Sequence, residues 1–134
     1  MKKILIVEDE KLIADLLQKK LTDKGYYAFI ANDGEKGLEE IKSKHPDLVL
    51  LDIILPRLNG FEILEAMRKD NEVKDIPVVI ISNSGQPLEI DKARELGVKS
   101  WLVKTEFDPE EVIEKVEEQI GKGDEVNNKE QASP

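Results

Sequence analysis

Cysteine is absent, and histidine occurs once, as His45. The first absence excludes disulfides, thiol chemistry and any cysteine-held metal. The second excludes a zinc site built on several histidines. Long hydrophobic runs are missing as well. The opening MKKILIVEDE has two lysines but only a four-residue apolar run, too short for a signal peptide. No segment approaches the roughly 20 apolar residues of a membrane span. The expectation is a cytoplasmic protein that does not engage a membrane. Positive charge is also in deficit: 29 acids face 20 bases, a net charge of −9. Domains that hold nucleic acid through its phosphates are usually basic, so no direct nucleic-acid contact is expected. The deficit is uneven, with seven acids and one lysine between Glu106 and Glu118. Such a run is ordinarily a solvated helix face.

What remains is a chain of 134 residues, 40% of them hydrophobic, enough for one domain with a real core. Three continuous runs rich in Val, Ile and Leu have the character of strands covered on both faces: 3–7, 47–52 and 77–82. Two weaker runs, 26–31 and 100–103, complete the set. Between them apolar residues recur at helical spacing, as in Leu12, Ile13, Leu16, Leu17 and Leu21. Gly25, Gly97 and Gly121 follow such runs where left-handed caps belong. The tetrapeptide 108–111, DPEE, offers an N-cap Asp, a first-turn Pro and a capping-box Glu. Helices are therefore predicted near 11–24, 34–44, 60–71, 87–96 and 109–121. The alternation of strand and helix implies an α/β, doubly wound parallel sheet with helices on both faces. The domain is expected over 1–121, with 122–134 a disordered polar tail lacking periodicity.

One stretch raises a chemical question. In LVLLDIILPRLNG a carboxylate, Asp52, ends an apolar run that ought to be buried. An uncompensated charge there costs several kcal/mol, on the order of a buried ion's desolvation. Ligands of doubly wound sheets sit at the carboxyl ends of the strands. The first strand leads into Glu8 and Asp9, the third ends at Asp52, the fourth at Ser82 and the fifth at Lys104. Three acids, a hydroxyl and an ammonium thus converge from four strands. An all-oxygen set of acids suits Mg²⁺, and a lysine is a natural partner for a phosphoryl oxygen. A carboxylate in that company is a plausible phosphoryl acceptor.

These residues resemble a response-regulator receiver domain of two-component signalling, similar to the single-domain chemotaxis type. The resemblance covers about residues 3–121. It is carried jointly by VEDE, LLDIILPRLNG, VVIISNSG and SWLVK. It implies a flavodoxin-like (βα)5 fold with strand order 2-1-3-4-5. It further implies that Asp52 accepts a phosphoryl group from a sensor histidine kinase or phosphotransfer protein. Asp9, Asp52 and the main-chain carbonyl of Ile54 would ligate Mg²⁺, with Glu8 acting through water. Ser82 and Lys104 would bond the phosphoryl oxygens, and Trp101 stands where the family places its switching aromatic. The output would be a change of protein partner at the surface of the fourth helix, fifth strand and fifth helix, in a stand-alone switch rather than an enzyme with a turned-over substrate. A phosphorylation-dependent homodimer is a further expectation, with Lys92, Arg94 and Lys99 facing the acidic run.

Departures from the pattern are specific. Thr105 follows the lysine where the family usually has proline, so a trans Lys104–Thr105 bond is predicted. Leu55 replaces a common Met, and Asn83 stands where a small residue is usual. Simpler roles compete: Glu8 and Asp9 as helix caps, Ser82 as a turn hydroxyl, Lys104 as a surface charge, Trp101 as packing, His45 as a helix end. A receiver-like scaffold without phosphotransfer is one alternative, disfavoured by intact Asp52, Asp9 and Lys104. A flavodoxin-like cofactor protein is another, disfavoured because EDEK stands where a phosphate-cradling loop is needed. Finally, the resemblance implies that apolar Ile54 and short Ser84 flank the approach of hydrolytic water, which predicts slow self-dephosphorylation.

Overall fold

The computed structural model describes residues 1–106 and 108–125. Among them five strands alternate with five helices: β1 Lys3–Val7, α1 Lys11–Asp23, β2 Tyr27–Ala31, α2 Gly34–Lys44, β3 Leu48–Leu51, α3 Gly60–Lys69, β4 Val78–Ser82, α4 Pro87–Glu95, β5 Ser100–Val103 and α5 Pro109–Ile120. The strands form one parallel sheet in the order β2-β1-β3-β4-β5, as predicted. Side chains alternate across it. Leu5, Val7, Val49, Leu51, Val78 and Ile80 face α2, α3 and α4. Ile4, Ile6, Leu48, Leu50, Val79 and Ile81 face α1 and α5. With both faces covered, each central strand has to be apolar at every position, which is why the runs are continuous.

Differences from the predicted boundaries have local causes. Pro77 lacks an N–H and so stands outside β4, although its carbonyl still accepts from Val49 at 3.0 Å. Tyr26 precedes β2, its ring buried and its hydroxyl donating to the Gly121 carbonyl at 2.6 Å. α3 ends at Lys69 because Asp70 turns extended. The capping box at Asp108 and Glu111 is present, and a second one joins Asn59 to Glu62. His45 ends α2 in a left-handed conformation at φ 45°.

The segment after α5 turns back along the amino end of the sheet. Asp124 N–H donates to Gly25 O at 3.0 Å, and Lys2 Nζ to Lys122 O at 2.9 Å. Gly25 serves this approach twice: its φ is +88°, and a Cβ there would overlap the Asp124 carbonyl. Of the predicted tail, 126–134 lies outside the described residues. No helix among the described residues is long and apolar enough to cross a membrane.

Candidate functional site

Ladder hydrogen bonds that outlast the strands aim the site's side chains. Glu8 N–H donates to Ala31 O at 3.0 Å, Asp52 N–H to Val7 O at 3.0 Å, and Lys104 N–H to Ser82 O at 2.7 Å. Each residue is thus held in register one position beyond its strand, where the chain is free to turn but the backbone is still fixed. Asp52 stands just past β3 rather than within it.

At this edge the Lys104 ammonium lies between two carboxylates. Its Nζ is 2.8 Å from Glu8 Oε1 and 2.9 Å from Asp52 Oδ2. The Lys104, Glu8 and Asp52 side chains are only 4%, 3% and 5% exposed. Glu10, on the solvent side, reaches the same ammonium at 3.2 Å. Burial disfavours the Glu8 carboxylate and pushes its pKa up to about 7, against the pull of Lys104. Burial also works against the Lys104 ammonium. The hydrogen bonds that the ammonium donates to Glu8 and Asp52 outweigh it and hold the pKa above the ordinary lysine value. The lysine therefore stays charged throughout the neutral range.

Asp9 stands exposed beside this pair. Glu8, Asp9 and Asp52 each offer a carboxylate oxygen, all within 4.8 Å of one another. Their charge exceeds what a single ammonium neutralises, and every donor is a hard oxygen. That donor set fits Mg²⁺, which takes oxygen ligands and retains waters. The other Asp52 oxygen, Oδ1, accepts the Ile54 N–H at 3.2 Å, while the Ile54 side chain stands 67% exposed at the mouth of the site.

The loop after β3 is tightly constrained. Gly60 N–H donates to Ile53 O at 2.8 Å, and a Cβ on Gly60 would lie 2.5 Å from the Asp52 carbonyl. Arg57 sits at φ +71°, with Leu58 N–H donating back to Pro56 O at 2.8 Å, a strained γ-turn. Across the sheet, buried Ser82 makes no hydrogen bond to the ion cluster among the described residues; its Oγ accepts the Ser84 N–H at 3.2 Å. The Trp101 indole donates to the Ser84 carbonyl at 2.8 Å and packs near Phe61, ring centroids 6.4 Å apart. Lys104–Thr105 is trans.

Residues 4–117 match the response regulator receiver domain family. The chain belongs to that family. Its relatives include the alkaline phosphatase synthesis transcriptional regulatory protein PhoP of Bacillus subtilis, 35% identical over 86% of this chain and 47% of PhoP. The DNA-binding dual master transcriptional regulator RpaA of Synechocystis is 33% identical over 94% of this chain and 52% of RpaA. The chain spans about half the length of the curated relatives it matches. Among solved structures, the chemotaxis response regulator CheY4 of Vibrio cholerae superposes with a TM-score of 0.82 at 28% identity, covering 90% of this receiver domain and 99% of CheY4.

Of the residues singled out from the sequence, Glu8, Asp9, Asp52 and Lys104 meet in one cluster, while Ser82 and Trp101 form a second group tied through Ser84. Two participants were not singled out for the receiver's site. Glu10 was present in VEDE as a third acid but had no assigned role. Glu89, in the first turn of α4, accepts the Ser84 hydroxyl at 2.6 Å; nothing in its local sequence distinguishes it from a helix-start acid.

Proposed function

We propose that this receiver domain is a phosphoryl-accepting signalling switch whose acceptor is Asp52. The observation that carries the reading is the buried Lys104 ammonium bonded to both Glu8 and Asp52 at the carboxyl edge of the sheet. An Asp52 oxygen attacks the phosphorus of a phosphohistidine on a sensor kinase or phosphotransfer protein. The new P–O bond forms as the P–N bond breaks, and its electron pair stays on the imidazole. Lys104 then exchanges part of its carboxylate contact for the phosphoryl oxygens, keeping its positive charge beside them. Ser82 supplies a hydroxyl proton to a phosphoryl oxygen. Asp9, Asp52 and the Ile54 carbonyl would hold Mg²⁺, with Glu8 acting through water, and the ion would supply positive charge to offset the negative charge of the phosphoryl oxygens. Positioning and charge neutralisation account for the rate, as elsewhere in phosphoryl transfer.

The output is read by a protein partner at the surface of α4, β5 and α5, with Trp101 reporting the state of the site. A phosphorylation-dependent homodimer through Lys92, Arg94 and Lys99 against the acidic α5 belongs to the same proposal. Within this proposal the switch acts in the cytoplasm without direct nucleic-acid contact, a reading supported by the net charge of −9, and the likeness to CheY4, matched over 99% of its length, favours a stand-alone switch. The half-length match to PhoP and RpaA favours a second reading, the receiver part of a transcriptional regulator. Immunoblotting of the source cells separates the two by size. Acetyl phosphate with Mg²⁺ should add one phosphoryl mass to the wild type and none to Asp52→Asn. Equal modification of that variant would refute the assigned acceptor.

A further inference from the structure

α4 is the helix least held by apolar burial: Ala93 is its single fully buried residue, against three or four in each other helix. Its amino end is instead fixed by polar bonds that converge on Ser84. Gln86, the N-cap residue, makes no side-chain cap bond of its own. Its N–H is offered to Ser84 Oγ at 3.4 Å, and the Ser84 hydroxyl proton goes to Glu89 Oε1 at 2.6 Å. In place of a capping box, Ser84 rather than the N-cap residue pairs with the third helical position, through a side-chain to side-chain bond. A hydroxyl donating to a carboxylate at that distance is a strong, charge-assisted bond.

The main-chain groups of Ser84 are also engaged. Its N–H donates to Ser82 Oγ, and its carbonyl accepts the Trp101 indole. A serine hydroxyl has one proton and two lone pairs. With one lone pair of Ser82 Oγ taken by Ser84, its proton remains available to a new acceptor. The two peptide units that meet at the Ser84 Cα thus reach Ser82 on one side and Trp101 on the other. Apart from those two bonds, Ser84 is held through its hydroxyl, by the long 3.4 Å contact from the Gln86 N–H and by the much shorter 2.6 Å bond to Glu89.

We infer that Glu89 is a positioning residue for the phosphoryl site, acting through Ser84 to hold Ser82 Oγ and the Trp101 indole in one arrangement. The inference rests on the proposed function, since it concerns how the phosphoryl group is received. Without Glu89 the loop between β4 and α4 samples more conformations, and ordering it is added to the cost of binding.

Beryllofluoride, a phosphoryl mimic, titrated with Mg²⁺ and followed by the single Trp101, tests this. Glu89→Ala should raise the half-saturating beryllofluoride concentration about three- to tenfold, the range expected from loosening one ordered loop. Mg²⁺ affinity measured without beryllofluoride should be unchanged. Ser84→Ala removes the same bond from the other side and carries the same expectation should Glu89→Ala not fold. The double variant should be no weaker than the weaker single one, and Glu89→Gln, which keeps an acceptor oxygen, should recover most of the affinity. Variants that lose melting temperature yet bind beryllofluoride as the wild type does would make the bond a helix cap and overturn the inference. A wild type with no Mg²⁺-dependent beryllofluoride response would instead overturn the phosphoryl-site reading, and the role of Glu89 with it.

Discussion

Replacing Lys104 with methionine keeps most of the side chain's length and apolar stem but removes the one cation between Glu8 and Asp52. Both carboxylates are almost wholly buried, at 3% and 4% residue exposure, so water cannot take the ammonium's place without opening the site. Breaking a buried ion pair by deleting one partner costs about 3–5 kcal/mol. Glu8 has a way to lessen this, because its pKa already stands at about 7 and rises further once the cation is gone. It takes up a proton. The direction of the pH dependence follows. A carboxyl whose folded pKa exceeds its unfolded value binds protons more tightly when folded, so stability falls as pH rises across the interval between the two. In the wild type that interval runs from about 4.5 to about 7. In Lys104→Met its upper limit moves higher, and the deficit should be larger at pH 8 than at pH 6. At pH 8 without divalent ions a loss of about 3–5 kcal/mol corresponds to a melting temperature lower by on the order of 10–15 °C for a domain of this size. Millimolar Mg²⁺ should recover more stability in the variant than in the wild type, because it binds the folded cluster and not the unfolded chain. Urea titrations followed by Trp101 fluorescence, at both pH values and with or without Mg²⁺, measure every quantity needed. A variant as stable as the wild type at pH 8, or a deficit that does not shrink on acidification, would refute the electrostatic account.

Ile54→Asn should hasten loss of the phosphoryl group, toward the roughly hundredfold typical of a well-placed polar group; a wild type that already decays within seconds, or a variant no faster, removes the apolar-shield argument. Arg57→Gly should stabilise the protein by about 0.5–1 kcal/mol, since a non-glycine residue at positive φ costs about 1–2 kcal/mol and glycine returns part of that in chain entropy. Its side chain is 65% exposed with only a 3.8 Å approach to Asp33, so little is lost with it; chemical denaturation reads the sign. Arg68 donates to the carbonyls of Leu96, Lys74 and Ile76 at 2.6, 2.7 and 2.8 Å. Arg68→Ala should cost about 2–4 kcal/mol, as for the loss of several charge-assisted bonds. Arg68→Lys should not restore it, because a lysine lacks the fork that spans three acceptors; full rescue by lysine in thermal melts would contradict this.

The sheet was legible because burial on both faces leaves a continuous apolar run, and β1 and β5 were placed residue for residue. The convergence of Glu8, Asp9, Asp52 and Lys104 followed from one rule, that parallel strands deliver their carboxyl ends to one edge. Spacing could not say that a single ammonium bridges Glu8 and Asp52, since that depends on how far a flexible stem reaches. Ser84 was named only for its place near the attacking water; its role as a junction was hidden for a related reason, since a short polar residue in a loop leaves no periodic trace and its partners include Ser82, Glu89 and Trp101 on three elements. Arg68 reads in sequence as a solvent-facing residue on an amphipathic helix, although its guanidinium joins two loops. Gly121–Glu125 lacked any side-chain pattern because it is held chiefly through its own backbone: the Gly121 and Lys122 carbonyls accept from Tyr26 and Lys2, and the Asp124 N–H donates to Gly25 O in a close approach that glycine permits.

That backbone contact brings the two ends of the domain together. The Met1 ammonium is 3.5 Å from the Asp124 carboxylate, at the edge of the sheet opposite the acid cluster. A short peptide joining these points would span a gap the fold has already closed, so a circularly permuted chain should keep the same core. New termini could then be opened in a solvent-facing turn of choice. A dye attached at Met1 or at Asp124 leaves from the far side of the sheet, away from the approach to Asp52. The same geometry means that a pull applied between Met1 and Asp124 bears on the Met1–Asp124 pair and the Asp124–Gly25 bond, at the edge of the sheet opposite the acid cluster.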